Sequence, residues 1–281
     1  MIIDYHIHTN YSDDCEYSME EVVKDAISMG VEEICFTDHV DYGVKTDWDS
    51  GERVVYKAGM ARLNVDYPRY YEEIIKLQNK FAEKITLKLG MEFGVQMHTI
   101  EKYERLFERY PFDFIILSLH QVEDKEIWCK EFQSGRSWKE YNERYYREML
   151  ELVQNYKNYS VLGHIDFITR YDDNGIYPFE KVKPIIEEIL KTVIEDGKGI
   201  EVNTSCHRYG LNDLTPSREI LRLYKDLGGR IITIGSDSHK KEHLCNYIEE
   251  TMQELKEFGF KEYCTYEKMK PIFHNLYRSD K

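Results

Sequence analysis

The chain is poor in several things, and each shortage narrows what it can be. Its six cysteines are scattered through 281 residues and none form a CxxC pair. That excludes a zinc-finger spacing and a dithiol redox motif, and a chain of this length needs no disulfide framework, so reduced thiols are expected. The start "MIIDYHIHT" lacks a basic region followed by an apolar stretch, so no secretory leader is expected. The longest apolar run, around "FDFIILSL", falls far short of a membrane span. These shortages together predict a soluble, cytoplasmic protein with no membrane partner. Positive charge is also scarce: 38 Lys and Arg stand against 52 Asp and Glu, a net charge of −14. Such a field repels nucleic acid and anionic membranes, and no basic strip is visible for a polynucleotide. An anionic small molecule is not excluded if bound metals make its site locally positive. No GxGxxG follows the first strand-like segment, which removes the usual support for a dinucleotide site. No internal repeat or low-complexity linker divides residues 1–281, so one domain is expected.

What is present is alternation. Seven short apolar or β-branched runs read as buried strands: 2–7, 33–36, 85–91, 112–117, 159–163, 199–203 and 230–235. Segments of helical spacing lie between them. "SMEEVVKDAISMG" carries Ser18 and Glu21 in capping-box spacing and stops at Gly30. The stretch 67–84 places Tyr71, Ile74, Ile75, Leu77 and Phe81 along one face. Strands that alternate with helices imply an α/β fold with a parallel sheet, and seven units favour a closed or nearly closed barrel over a doubly wound open sheet. Helix-to-strand links are short. Strand-to-helix links, at 37–66, 119–136, 164–178 and 204–215, are long, and a barrel keeps its site in such loops.

The histidines fall on this map in one place. His6 and His8 end strand one, Asp38 and His39 follow strand two, and Glu92 ends strand three. His120 follows strand four, His164 and Asp166 follow strand five, and Asp237 and His239 follow strand seven. A single strand-end histidine is more often a hydrogen-bonded structural residue, and a single Asp is more often a turn residue. Here six of the ten histidines, with Glu92 and Asp237, share the same end of six strands. His6 and His8, two apart on a strand, share a face, and Asp237 and His239 repeat that spacing. Imidazole and carboxylate donors of this kind suit two or three Zn, Fe or Mn ions.

In order, "DYHIHTNYSDD", "FTDHV", "GMEFG", "SLH", "GHID" and "GSDSH" span nearly the whole chain. Together they resemble the polymerase-and-histidinol-phosphatase (PHP) family of metal-dependent phosphoesterases, and most closely its monofunctional histidinol-phosphatase branch. The resemblance implies a distorted, TIM-like (β/α)7 barrel with a trinuclear metal centre. It implies that His6, His8, Glu92 and Asp237 hold one metal. Glu92, His120 and His164 would hold a second, and Asp14, His39 and His239 a third. Asp14 stands where some relatives have a histidine, and Asp13 beside it is the weaker candidate. His39, Glu92, Asp237 and His239 are expected to form the catalytic group. Arg170 and Arg208, in loops at the same mouth, would clamp phosphate, for which a guanidinium fork is suited.

The activity implied is hydrolysis of a small phosphate monoester, foremost L-histidinol phosphate in histidine biosynthesis, by water that the metals activate to hydroxide. The protein itself would be a monomer or homodimer. A nucleotide phosphoesterase or nuclease on the same centre is the first rival, and a non-catalytic metal-binding protein the second. The acids Asp41, Asp47, Asp49 and Glu52 of the 37–66 loop are a candidate lid over the cationic end of the substrate. His98, His243 and His274 are expected on or beside helices, outside the site.

Overall fold

A computed structural model describes residues 1–277. The apolar runs form seven parallel strands. We label them β1 (Ile3–Ile7), β2 (Glu33–Phe36), β3 (Thr86–Gly94), β4 (Phe114–Ser118), β5 (Val161–Leu162), β6 (Gly199–Asn203) and β7 (Ile232–Gly235). They pair in chain order. The seam between β1 and β7 is joined just beyond β7, where a bridge links Ile7 to Ser238 and His8 N–H donates to the Ser238 carbonyl at 2.9 Å. Asp4 reinforces it by accepting from the N–H groups of Ser236 at 2.9 Å and Cys245 at 3.1 Å. The fold is thus a distorted, nearly closed (β/α)7 barrel rather than an open sheet.

Burial on both faces explains why these strands read as unbroken apolar runs instead of alternating ones. Every residue of β1, β2, β4, β6 and β7 is buried. Fully buried Phe36, Phe93 and Phe114 contribute about 1.5–3 kcal/mol each. Among the described residues seven α-helices surround the barrel: α1 (Met19–Ser28), α2 (Tyr67–Phe81), α3 (Ile100–Arg109), α4 (Trp138–Asn155), α5 (Phe179–Glu195), α6 (Arg218–Asp226) and α7 (Ile248–Glu257). None of the described helices is long and apolar enough to cross a membrane.

Two local expectations need correction. The buried face of α2 is Tyr67, Tyr70, Ile74, Leu77 and Phe81, while Ile75 faces water. Burial places the stripe one step round the helix, beginning at Tyr67. At α1 the Ser18 hydroxyl donates to the Glu21 carboxylate at 2.6 Å, so it does not cap the helix. A reciprocal capping box forms at Ser137 and Glu140 of α4 instead. Gly30 does end α1, in the left-handed region at φ +75°, where a side chain would be strained.

The long links all leave the C-terminal ends of strands. The excursion after β2 holds a short strand, His39–Val40, that pairs with β3 and sets His39 beside Glu92. It also holds a hairpin, Val55–Lys57 with Met60–Arg62. The link after β4 holds a smaller hairpin, Gln121–Val122 with Lys125–Glu126. The opposite end of the barrel is closed by a C-terminal hairpin, Glu262–Glu267 with Lys270–Asn275. The Tyr266 ring stands 5.0 Å from Phe114, which meets Tyr5 edge-on at 5.0 Å. His274 lies in this hairpin, stacked on Tyr263, and not on a helix. His98 and His243 lie in short 3₁₀ turns.

Candidate metal centre

The strand ends bring the predicted residues to one mouth. His6 and His8 turn their Nε2 atoms toward each other, 3.0 Å apart. Asp237 Oδ1 lies 3.8 Å from His6 Nε2 and 3.5 Å from His8 Nε2. Glu92 is central: its Oε2 is 3.3 Å from His6 Nε2 and 2.9 Å from His39 Nδ1. Its Oε1 is 3.1 Å from His120 Nε2 and 2.7 Å from His164 Nε2. At the outer edge Asp14 reaches His39 Nε2 at 3.7 Å and His239 Nε2 at 3.6 Å. His8 packs its ring between those two, with centroids 4.2 Å from His39 and 4.0 Å from His239. Asp237 takes a left-handed backbone at φ +55°, which Asp tolerates better than most residues.

Asp13 is not part of this cluster. It is buried and turned away, pairing with Lys45 at 2.8 Å and Arg62 at 2.9 Å. Asp38 and Asp166 also stay outside. Asp38 holds the 9–12 turn by accepting from Thr9 N–H at 2.7 Å and the Ser12 hydroxyl at 2.7 Å. Asp166 accepts from Ser217 N–H at 2.7 Å, at the start of α6.

The electrostatics are those of a site short of positive charge. Burial opposes protonation of His6, yet Glu201, Glu92 and Asp237 outweigh it and hold its pKa well above the ordinary value. His120 follows the same pattern: burial opposes, Glu92 and Asp41 prevail, and its pKa rises to about 10. His8 goes the other way, pushed well down by burial and by the neighbouring His239 and His39. Burial would raise the Glu92 carboxyl, but His6, His120 and His39 hold it well below the carboxylate range.

The donor chemistry fits divalent metal ions. His39 Nδ1 and Glu92 Oε2 are buried and close, yet neither has a hydrogen-bond partner. The Nε2 atoms of His6 and His8, and those of His120 and His164, face one another at 3.0 and 3.4 Å. Each facing pair needs a proton or a metal ion between its nitrogens, and divalent ions can serve both pairs together with Glu92. Both His6 and His120 give their Nδ1 to a carboxylate, Glu201 at 2.5 Å and Asp41 at 2.9 Å. That fixes the tautomer with Nε2 free to donate to an ion. Among the described residues five compact groups could each hold an ion: His6, His8 and Asp237; Glu92, His120 and His164; His8, His39 and His239; His39, Asp41 and His120; and Glu126, Cys129 and Glu131.

The two arginines differ. Arg170 is buried, its guanidinium between the rings of Phe167 (5.1 Å) and Tyr209 (4.9 Å). Nη1 meets Asp237 Oδ2 at 3.1 Å, while Nε and Nη2 have no partner. Arg208 sends Nη1 and Nη2 to the carbonyls of Ser236 at 2.8 Å and Asp237 at 2.6 Å, so part of its fork buttresses the end of β7. A cavity of about 200 Å³ opens over the cluster, with Arg170, Trp128, Phe167 and Tyr209 in its wall. That is room for a small molecule.

Residues 4–205 match the family model described as the PHP domain. The chain belongs to the PHP family. This PHP chain is 34% identical over 274 residues to a histidinol-phosphatase of Lactococcus lactis, covering 95% of each chain. It is 31% identical over 252 residues to a Clostridium acetobutylicum protein named "Probable histidinol-phosphatase", covering 87% of this chain and 89% of that one. The crystal structure of the histidinol phosphate phosphatase from L. lactis, complexed with zinc, L-histidinol and phosphate, matches with a TM-score of 0.82 at 32% identity. The match covers 96% of this chain and 98% of that one.

Sequence reasoning missed the groups behind the cluster of this PHP barrel. Glu201 was readable: "GIEVN" puts one acid inside an otherwise apolar, buried strand, where an unpaired charge is too costly to keep. Asp41 was misread as part of a lid. It is buried against His120, while Asp47 and Glu52 line a separate cleft beside Arg53 and Arg109. Asp41, Asp47 and Glu52 therefore do not form one lid over the centre.

Proposed function

We propose that this protein hydrolyses L-histidinol phosphate to L-histidinol and inorganic phosphate, using two or three divalent ions drawn from Zn, Fe and Mn. His6, His8, Glu92 and Asp237 would hold the first, Glu92, His120 and His164 the second, and Asp14, His39 and His239 the third. Bound there, such ions supply Lewis acidity, lowering the pKa of water toward ~7 and neutralising phosphoryl oxygens.

Arg170 is the observation that carries the phosphate reading. A buried guanidinium with two unspent donors, beside a cluster built for cations, fits a tetrahedral dianion. In the reaction its Nε and Nη2 hold phosphoryl oxygens, and the Phe167 and Tyr209 rings keep the fork in plane. Arg208 adds charge while fixing Asp237. Glu201 and Asp41 keep His6 and His120 in the tautomer the centre needs. The aromatic wall of Trp128, Tyr171 and Tyr209 offers faces on which an imidazole can stack. Hydrolysis adds water across the P–O bond: the water oxygen joins phosphorus, and a proton leaves with the histidinol alcohol.

The test is a substrate panel on protein of measured metal content: L-histidinol phosphate, a nucleoside monophosphate, an oligonucleotide and an aryl phosphate. We expect kcat/KM for L-histidinol phosphate to exceed the others by about 100-fold or more. Activity confined to the aryl phosphate would refute the assignment.

A further inference from the structure

We infer that Asp41, Lys45 and Asp13 form a buried positioning strut that aims His120 and Asp14, and so sets how tightly the centre holds its ions. The inference rests on the metal reading above. Asp41 spends both oxygens inside the strut: Oδ1 faces His120 Nδ1 at 2.9 Å, and Oδ2 pairs with Lys45 Nζ at 2.9 Å. Lys45 Nζ then pairs with Asp13 Oδ1 at 2.8 Å, and Asp13 Oδ2 with Arg62 Nη1 at 2.9 Å. Asp13 is joined through the chain to Asp14, which faces His39 and His239. One ammonium therefore ties the residue behind His120 to the residue before Asp14, two groups assigned to different ions.

Three observations separate this from an incidental ion pair. The side chains of Asp41, Lys45 and Asp13 are all but inaccessible, at 2–4% exposure. Charges at that depth are costly to desolvate, and apolar side chains would fill the space more cheaply, so geometry is what the arrangement supplies. Asp41 is itself held, its N–H donating to Asn64 Oδ1 at 2.8 Å. The backbone of β3 also makes way for the contact. At Gly94 any Cβ would collide with Asp41 Oδ1 and stand 3.1 Å from His120 Nδ1. Carboxylates behind metal-bound histidines raise their basicity and fix the ring, and losing one typically costs about 10–100-fold in metal affinity. Lys45 and Arg62 come from the two ends of the excursion after β2, so that long segment serves the centre from below.

The experiment is zinc competition against a chromophoric chelator, on metal-free wild-type protein and on Asp41→Ala, Asp41→Asn, Lys45→Met and Gly94→Ala. Thermal unfolding of each metal-free protein is measured in parallel, with kcat and KM at saturating zinc. We expect Asp41→Ala and Gly94→Ala to lose about 10–100-fold in zinc affinity. Asp41→Asn should fall between, because its amide oxygen still accepts from His120, and Lys45→Met should weaken more than one equivalent. Zinc affinities within twofold of wild type, with only the unfolding temperature lowered, overturn the strut. If Asp41→Ala does not fold, the same criterion applies to Asp41→Asn. Failure of wild-type protein to bind zinc overturns the metal reading itself, and the strut with it.

Discussion

Replacing Arg170 with Met removes the guanidinium and keeps most of the aliphatic volume. Two donors, Nε and Nη2, are buried and unspent. A hydrogen bond to a charged group is worth about 1.5–3 kcal/mol, so losing two from the phosphoryl group costs about 3–6 kcal/mol. At ~1.4 kcal/mol per decade, kcat/KM should fall about 10²- to 10⁴-fold. The fold should survive, because Asp237 keeps Arg208 at 3.5 Å and His8 at 3.5 Å as partners. The assay is phosphate release from L-histidinol phosphate at matched metal content, with inhibition by inorganic phosphate measured alongside. Arg170→Lys restores a charge without the fork and should recover only part of the loss. A kcat/KM for Arg170→Met within fivefold of wild type, with phosphate inhibition unchanged, would refute the clamp.

Four further outcomes are expected. The metal-free centre holds protons on His6 and His120, whose pKa values its carboxylates raise, the latter to about 10. A divalent ion must displace them, so binding releases protons and affinity rises with pH between 6 and 9. Calorimetry in buffers of different ionisation enthalpy checks this, and zero proton release contradicts it. Metal at 100 times its Kd should stabilise the fold by about 2.7 kcal/mol, raising Tm by about 5–10 °C, and chelation should reverse the gain. Gly235→Ala places a Cβ against the His6 side chain and 2.7 Å from Glu201 Oε1. Displacement of about 1 Å there should cost ~10² in kcat while leaving secondary structure, read by circular dichroism, intact. By contrast, Tyr5→Phe strips the Glu33 and Tyr266 partners at the far end of the barrel. It should lower stability by about 1–3 kcal/mol in urea unfolding and leave kcat unchanged.

The barrel was legible because its strands are buried on both faces and its helices carry one apolar stripe. The clustering of the histidines and acids was legible because six motifs repeated one placement at strand ends. What escaped was whatever depends on packing in three dimensions. Asp13 and Asp14 are neighbours of identical chemistry, and only the positions of Lys45 and Arg62 separate their roles. Asp41 sat among Asp47, Asp49 and Glu52 in one acidic stretch, and nothing local marked it as the buried member. The C-terminal hairpin was missed because "EYCTYE" and "KPIFHN" are short and one contains a proline, a weak signal beside the helix before it. Ile75 misled because an apolar residue on a helix can face water at little cost.

The seam between β1 and β7 has a consequence for how the chain is made. His6 and His8 leave the ribosome before the rest of the centre, and Asp237 and His239 follow more than two hundred residues later. At about 5–20 residues per second, synthesis separates the two by roughly 10–50 s. Through that interval the first strand has no β7 edge to dock against, and its histidines lack Asp237. Completion of the centre is therefore a late event in the life of the nascent chain, and a ribosome stalled before residue 237 carries most of a barrel but no workable site.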